Sequence, residues 1–333
     1  MTRSYVSLLA LSFVGAFLLC ILNSCGISDP VTPPPVAAGS LPRVLLDSGK
    51  QLQYHRSIQS GVDTFTIQTG SRLLRKAGSP DIDLVGAMHA AEPAYYKKLQ
   101  SDLNKADLVL FEGVVDESQQ QAEEAMSDAQ RQKAYQKSAY SRLAASHGLV
   151  AQHTSINYES SRFRRCDMSV QQMDALLKSE MASGGSGAKA SSAAGEEFAS
   201  VRKVLSGQSW TTNAVIGLIS MSPALTARTR LMLVASGSES NDDDSSLHPR
   251  LEQLIREDRN AFVMKEVTTI MRKEKGHQRI AIFYGAAHLA DLQKRFAALG
   301  YRPVESIRWY DAVTAHPYAA GITEDEVKEI FTR

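Results

Sequence analysis

Two short stretches carry the residues with the clearest chemical potential. Ile82 to His89 and Ile280 to His288 share one grammar: an apolar run, a glycine, then a histidine three residues later, giving Gly86-Ala87-Met88-His89 and Gly285-Ala286-Ala287-His288. With 21 glycines and 8 histidines in 333 residues, about 0.5 such pairs arise by chance, so the spacing alone is weak. The context is stronger. Each pair sits where an apolar strand hands over to helical periodicity, and in open α/β sheets ligands bind at that edge. The glycine lets the backbone turn without a Cβ in the way. A third apolar run, Ala106 to Phe111, ends in Glu112. Two histidines, His89 and His288, and the carboxylate Glu112 are the ligand types of a catalytic divalent metal. An open coordination position there holds water and lowers its pKa toward neutrality. Glu112 serves alternatively as general base beside that water. Arg259 and Asn260, adjacent in a helical pattern, add an oxyanion or carboxylate donor and a hydrogen bond to substrate or ligand. The donor set does not choose among zinc, manganese and cobalt. The competing structural reading has each histidine merely hydrogen-bonded in place and Arg259 paired with Glu112.

These residues need elements to hold them. After His89, Pro93 suits the first turn of a helix, and Tyr95, Tyr96, Leu99 and Leu103 recur at helical spacing as packing residues. The run to Glu112 then completes a strand–helix–strand unit with parallel strands. The second unit has a helix over Leu251–Lys273, a strand over Ile280–Tyr284, a helix over Leu289–Leu299 stopped by Gly300, and a strand in "RPVESIRWY". "DTFTIQTG" alternates as a half-buried strand. Asp116 to His147 reads as exposed helix. Ser183–Ala194 and Ala235–Ser246 are low in complexity and read as loops. The expected fold is α/β: two pseudo-symmetric βαβ-containing units forming a mixed core, with a helical cap from the middle segment.

Composition sets the class. The chain is 43% hydrophobic and 22% charged with a formal net charge of +1, a globular balance without the basic stripe that nucleic-acid binding needs. "MTRSYVSLLALSFVGAFLLCILNSCG" has one early cation and an apolar stretch from Val6 to Leu22, the pattern of a secretory signal. It ends in Leu22-Asn23-Ser24-Cys25, which resembles a bacterial lipobox with Cys25 as the lipidated residue. An uncleaved membrane anchor is the rival reading, although the stretch is short for a span. Gly26 after the cysteine points to an outer-membrane destination in a Gram-negative envelope. The expected organisation is a signal peptide over 1–24, a proline-rich tether over 25–42, and one domain over 43–333 with a helical insertion at about 116–250. Of three cysteines, Cys166 alone remains for the mature fold, so no internal disulfide forms there.

The motifs together resemble the TraB/GumN family, which includes the Tiki-like proteins. The stretches that carry the resemblance are "VGAMHAAEPAYYKKL", "ADLVLFEGV", "REDRNAFVMKEV" and "IAIFYGAAHLADLQKRFAALGY", with "GLVAQHTSINYESSRFRRCDMS" resembling a middle segment of bacterial members. The resemblance covers roughly Val62 to Tyr310. It implies a mixed α/β core within an erythromycin-esterase-like and ChaN-like superfamily, with the two histidine units facing each other. It also implies a metal-dependent hydrolase of peptide or amide bonds, with His89, Glu112, Arg259, Asn260 and His288 at the site. The expected partners are a peptide or small-molecule substrate and the membrane reached through the lipid anchor. A haem- or iron-ligand-binding lipoprotein and a non-catalytic envelope scaffold stay open beside that reading.

Overall fold

The computed structural model describes residues 43–45, 52–117, 125–184, 186–205, 223–237 and 247–332. Residues 1–42, read above as signal stretch, Cys25 lipidation site and tether, lie outside the described residues. Three strands open the order: β1 (Arg43–Leu45), β2 (His55–Gly61) and β3 (Thr64–Arg75). Next come β4 (Asp81–Ala87), β5 (Ala90–Ala91), α1 (Pro93–Leu103) and β6 (Leu108–Phe111). The middle segment holds α2 (Asp128–Gln136), α3 (Ala139–Ser146), β7 (Val150–Ala151), α4 (Gln152–Ser155), β8 (Phe163–Arg165), α5 (Val170–Ser183), α6 (Ser186–Leu205) and α7 (Pro223–Ala235). The last part holds α8 (Pro249–Gln253), a π turn (Leu254–Asp258), α9 (Arg259–Lys273), β9 (Arg279–Gly285), α10 (Ala286–Ala298), β10 (Arg302–Pro303), β11 (Arg308–Ala315) and α11 (Glu324–Thr332).

The main sheet is mixed, as the α/β reading expects. Its order is β1-β2-β3-β4-β9-β6-β8, with β10 and β11 on the other edge of β3. The strands β4, β9, β6 and β8 run parallel to one another; the rest pair antiparallel. Parallel strands covered on both faces read as continuous apolar runs, and these do. Ile82, Leu84, Leu108, Leu110, Ile280 and Ile282 face one core with α9 and α10. Val85, Val109, Ala281 and Phe283 face the other with α1 and helices of the middle segment. Each fully buried Leu, Ile or Val contributes about 1.5–3 kcal/mol.

The two histidine units therefore meet in the sheet's centre. β4 and β9 are direct parallel neighbours, with Ala87 opposite Gly285, and α1 and α10 cover opposite faces. A twofold axis along the strands produces that relation. The units diverge afterwards. β6 does not join β4 but adds beyond β9. "RPVESIRWY" supplies β10 and the start of β11, both antiparallel to β3, so the second unit is not a complete parallel βαβ. In the middle segment, Ser183–Ala194 is mostly helix in α5 and α6 rather than loop. Alanine is the best helix former, and Ala194 and Phe198 give α6 a buried stripe. The same segment also adds β8 to the main sheet. "DTFTIQTG" lies at the start of β3, but Phe65 to Ser71 is buried on both faces, because β2 and β11 flank it and helices cover it.

Candidate functional site

Four parallel strands end at one edge, and each delivers a polar side chain to it. His89 follows β4, His288 follows β9, Glu112 follows β6, and Asp167 lies two residues beyond β8. The π turn delivers the fifth. Such widened turns recur at functional sites. Here it precedes Arg259 and Asn260, which are 1% and 0% exposed.

Arg259 is the hub. Its Nε donates to Asp167 Oδ1 at 2.9 Å and its Nη2 to Asp167 Oδ2 at 2.6 Å. The same Nη2 donates to Glu112 Oε1 at 2.6 Å. Nη1 donates to the Ile255 carbonyl at 3.1 Å, inside the π turn, and lies 3.4 Å from His288 Nε2. Asp167 also accepts from the backbone N–H groups of Gly113 and Met168. Burial lowers the Arg259 pKa, but Asp167 and Glu112 outweigh it and keep the guanidinium charged. Glu112 receives a further hydrogen bond from the Gly285 N–H to Oε2, at 2.7 Å. Burial pushes its pKa up, but Arg259 and then His288 hold the carboxyl far below the usual carboxylate range. The bidentate Arg259–Asp167 pair is neutral as a unit. Glu112 leaves the cluster one net negative charge when the histidines are neutral.

Each histidine is gripped at Nδ1 by a carboxamide. His288 Nδ1 lies 2.8 Å from Asn260 Oδ1. Asn260 Nδ2 is committed to Asp291 Oδ2 and the His288 carbonyl, both acceptors. Asn260 Oδ1 therefore faces a protonated Nδ1, and His288 Nε2 is turned into the cluster, 3.2 Å from Glu112 Oε1. Asn260 thus spends its amide on His288 and Asp291. His89 Nδ1 lies 2.9 Å from Gln152 Oε1, which turns its Nε2 the same way. Burial lowers the His89 pKa and favours the neutral ring. A Cβ placed on Gly285 would sit 3.3 Å from Glu112 Oε2, 3.6 Å from His89 Nε2 and 3.7 Å from His288 Cδ2. That point marks the centre of the site, where a side chain at position 285 would crowd the Glu112 carboxylate.

Gly86 is held to glycine by a closer contact. Its Cβ would lie 2.7 Å from the Gly70 carbonyl oxygen of β3. Neither motif glycine has a positive φ; close approach, not turn geometry, bears on both. Tyr95 and Tyr96 do more than pack. The Tyr95 hydroxyl donates to the Gly86 carbonyl at 3.1 Å and accepts from the Met88 N–H at 3.0 Å. Tyr96 donates to the Met88 carbonyl at 2.6 Å. Both clamp the loop that carries His89. Cys166 is buried and free; burial pushes its thiol up to about 12, so it is no nucleophile at neutral pH.

The structure brings His89, Glu112, Arg259, Asn260 and His288 together, and it adds Asp167 and Gln152, which the sequence reading does not single out. Asp167 had a signal: an acid closely following a strand, as Glu112 follows β6. The arginines of Phe163–Arg165 hid that strand. Gln152 had no local signal.

The donor set bears on a divalent ion through its histidines. An imidazole held at Nδ1 with Nε2 turned inward is the usual arrangement of a metal-binding histidine, and both His89 and His288 have it. On that chemistry His89 and His288 fit. Glu112 is the adjacent carboxylate, with both oxygens engaged by Arg259 and Gly285. Among the described residues, no group of three or more His, Cys, Asp or Glu side chains is arranged to hold a metal ion. Among the same residues, no helix is long and apolar enough to cross a membrane.

Comparison of the chain with protein-family models, curated proteins and solved structures yields no match. The TraB/GumN resemblance rests on the quoted motifs.

Proposed function

We propose that this chain is a lipid-anchored, metal-dependent hydrolase of the TraB/GumN, Tiki-like type that acts on peptide or amide bonds in the cell envelope. One observation carries the reading: two histidines with inward Nε2 atoms and the ionised Glu112 converge at the carboxyl edge of a parallel sheet. His89 and His288 would hold a zinc, manganese or cobalt ion, which would supply Lewis-acid polarisation and an activated water. The chain's own residues do the rest. Glu112 stays ionised beside the Nε2 atoms, where its charge would offset that of a bound cation. Arg259, locked by Asp167, keeps a fixed positive charge where negative charge develops on a substrate oxygen. Asn260 keeps the His288 ring aligned. His89 is only partly buried and marks the side from which a substrate arrives.

A scaffold role is favoured by one observation, the 2.6 Å Arg259–Glu112 contact in a buried cluster. Metal content separates the two. The purified full chain, beside a His89→Ala, His288→Ala double variant, is assayed by mass spectrometry after exposure to zinc, manganese and cobalt. About one divalent ion per wild-type chain, absent from the variant, supports the hydrolase and justifies a peptidase screen. No bound metal with any of the three ions sinks it.

A further inference from the structure

We infer that Gln152 is the positioning residue for His89: its carboxamide fixes the imidazole as the Nδ1–H tautomer and aims a bare Nε2 at Glu112 and Gly285. The inference concerns the same site and rests on the reading above only for the use made of that nitrogen.

The argument starts from the small sheet. β5 pairs antiparallel with β7, with Ala90 opposite Ala151 and Ala91 opposite Val150. Extending that register by one residue sets Gln152 opposite His89. The Gln152 N–H donates to the His89 carbonyl at 2.8 Å. The main chain of His89 is thereby tied to the residue whose side chain meets its ring. Gln152 Oε1 lies 2.9 Å from His89 Nδ1, and Gln152 Nε2 donates to the Tyr158 hydroxyl at 2.9 Å. Gln152 is 7% exposed, so its amide has little water to fall back on, and both ends are engaged. Tyr158 is itself packed on Phe111, with ring centroids 4.6 Å apart, beside the Glu112 strand end. A rigid wall thus holds Tyr158, Tyr158 holds Gln152, and Gln152 holds His89.

The second histidine shows what this chain does with such a device. Asn260 can present only its oxygen to His288 Nδ1, because its nitrogen is committed to two acceptors. The chain therefore builds the same grip twice, from a helix on one side and from a short strand pair on the other. A neutral imidazole has one donor and one acceptor nitrogen. Fixing Nδ1–H leaves Nε2 as the acceptor in the neutral His89 ring. Gln152 touches neither a substrate nor the reacting atoms, so its action is through His89.

The test reads the tautomer directly. The full chain is labelled with 15N-histidine, and His89 is assigned by its loss in His89→Ala. Nitrogen shifts are then recorded on metal-free protein at a pH where the ring is neutral. Wild type is expected to show Nδ1–H for His89. Gln152→Ala is expected to shift the ring toward Nε2–H. Gln152→Glu, whose carboxylate still accepts from Nδ1–H while the Tyr158 hydroxyl turns to donate to it, is expected to restore Nδ1–H. An Nε2–H tautomer in wild type overturns the inference at once, and needs no variant that might fail to fold. An unchanged tautomer in folded Gln152→Ala overturns it too. A cobalt titration runs beside it. If wild type binds cobalt, Gln152→Ala is expected to weaken binding about 10- to 100-fold, the usual loss for a residue behind a metal-binding histidine, with Gln152→Glu recovering most of it. If wild type binds no cobalt, zinc or manganese, the metal reading fails alone, and the tautomer still decides the role of Gln152.

Discussion

The two Gly-x-x-His units look alike as sequence and differ as structure. In the second, Gly285 is the residue before a helix, and His288 stands in the first turn of α10. Its ring is 4% exposed and locked by Asn260 from α9. In the first, the chain does not enter a helix after Gly86. It runs through a loop into β5, and His89 stays partly exposed. Two tyrosines of α1 clamp that loop from behind, and Gln152 holds the ring. One histidine is part of the core; the other is mounted on its rim. Spacing between a glycine and a histidine does not encode how rigidly the histidine is held. Neighbours distant in sequence decide it.

The largest expected effect removes what the two units share. Arg259→Met leaves Asp167 and Glu112 buried without their cation, and breaking a buried ion pair this way costs about 3–5 kcal/mol. Urea unfolding measures it; a loss below about 1 kcal/mol would mean that the cluster is wetter than its burial implies.

The next effect separates the units. His288→Ala leaves Asn260 Oδ1 buried without its donor and is expected to cost about 1–3 kcal/mol. His89→Ala should cost less, because its site is partly exposed. Equal losses in the two unfolding curves would erase the core-versus-rim distinction.

The glycines sharpen it further. Gly86→Ala forces a Cβ against the Gly70 carbonyl and is expected to destabilise by about 1–3 kcal/mol. At Gly285 the new Cβ meets the Glu112 carboxylate at 3.3 Å. We expect Gly285→Ala to cost less than about 1 kcal/mol and to disturb hydrolysis or metal binding far more than stability. A larger melting-temperature drop for Gly285→Ala than for Gly86→Ala would reverse the assignment.

The last effect is a pH slope near the rim. Burial pulls His153 down to about 4, and its ring sits against Tyr135 and Tyr140. The unfolded chain takes up this proton near pH 6.5, before the folded chain does. Stability from neutral His153 is therefore full above about pH 6.5 and is lost as pH falls toward 4. His153→Phe should flatten part of the stability curve in that window, as read by thermal melts across pH. An unchanged slope would show that His153 is not what titrates.

Much of this was legible in the chain. The apolar runs of β4, β6 and β9 were readable because strands buried on both faces need no alternation. Pro93 and the Tyr95–Leu103 spacing placed α1 because helical periodicity is local. The site residues His89, Glu112 and His288 were readable because each directly follows such a run. What failed to read was non-local. β8 carries two arginines, so its membership of the sheet depends on its neighbour β6. β11 reads as the next strand of the second unit, yet it pairs with β3, more than two hundred residues away in sequence. The alanine-rich Ser183–Ala194 reads as loop because its buried face exists only against other segments, α5 and α8 among them.

The sequence by itself therefore determined the chemical cast: two histidines, one carboxylate and an Arg-Asn pair at the ends of recognisable elements. Residue type and local periodicity suffice for that. Only the tertiary structure decided the relations among them. It placed β9 between β4 and β6, brought Asp167 to lock Arg259, and gave each histidine its own carboxamide partner. Those relations come from strand order and the packing of remote segments, which local propensity does not specify.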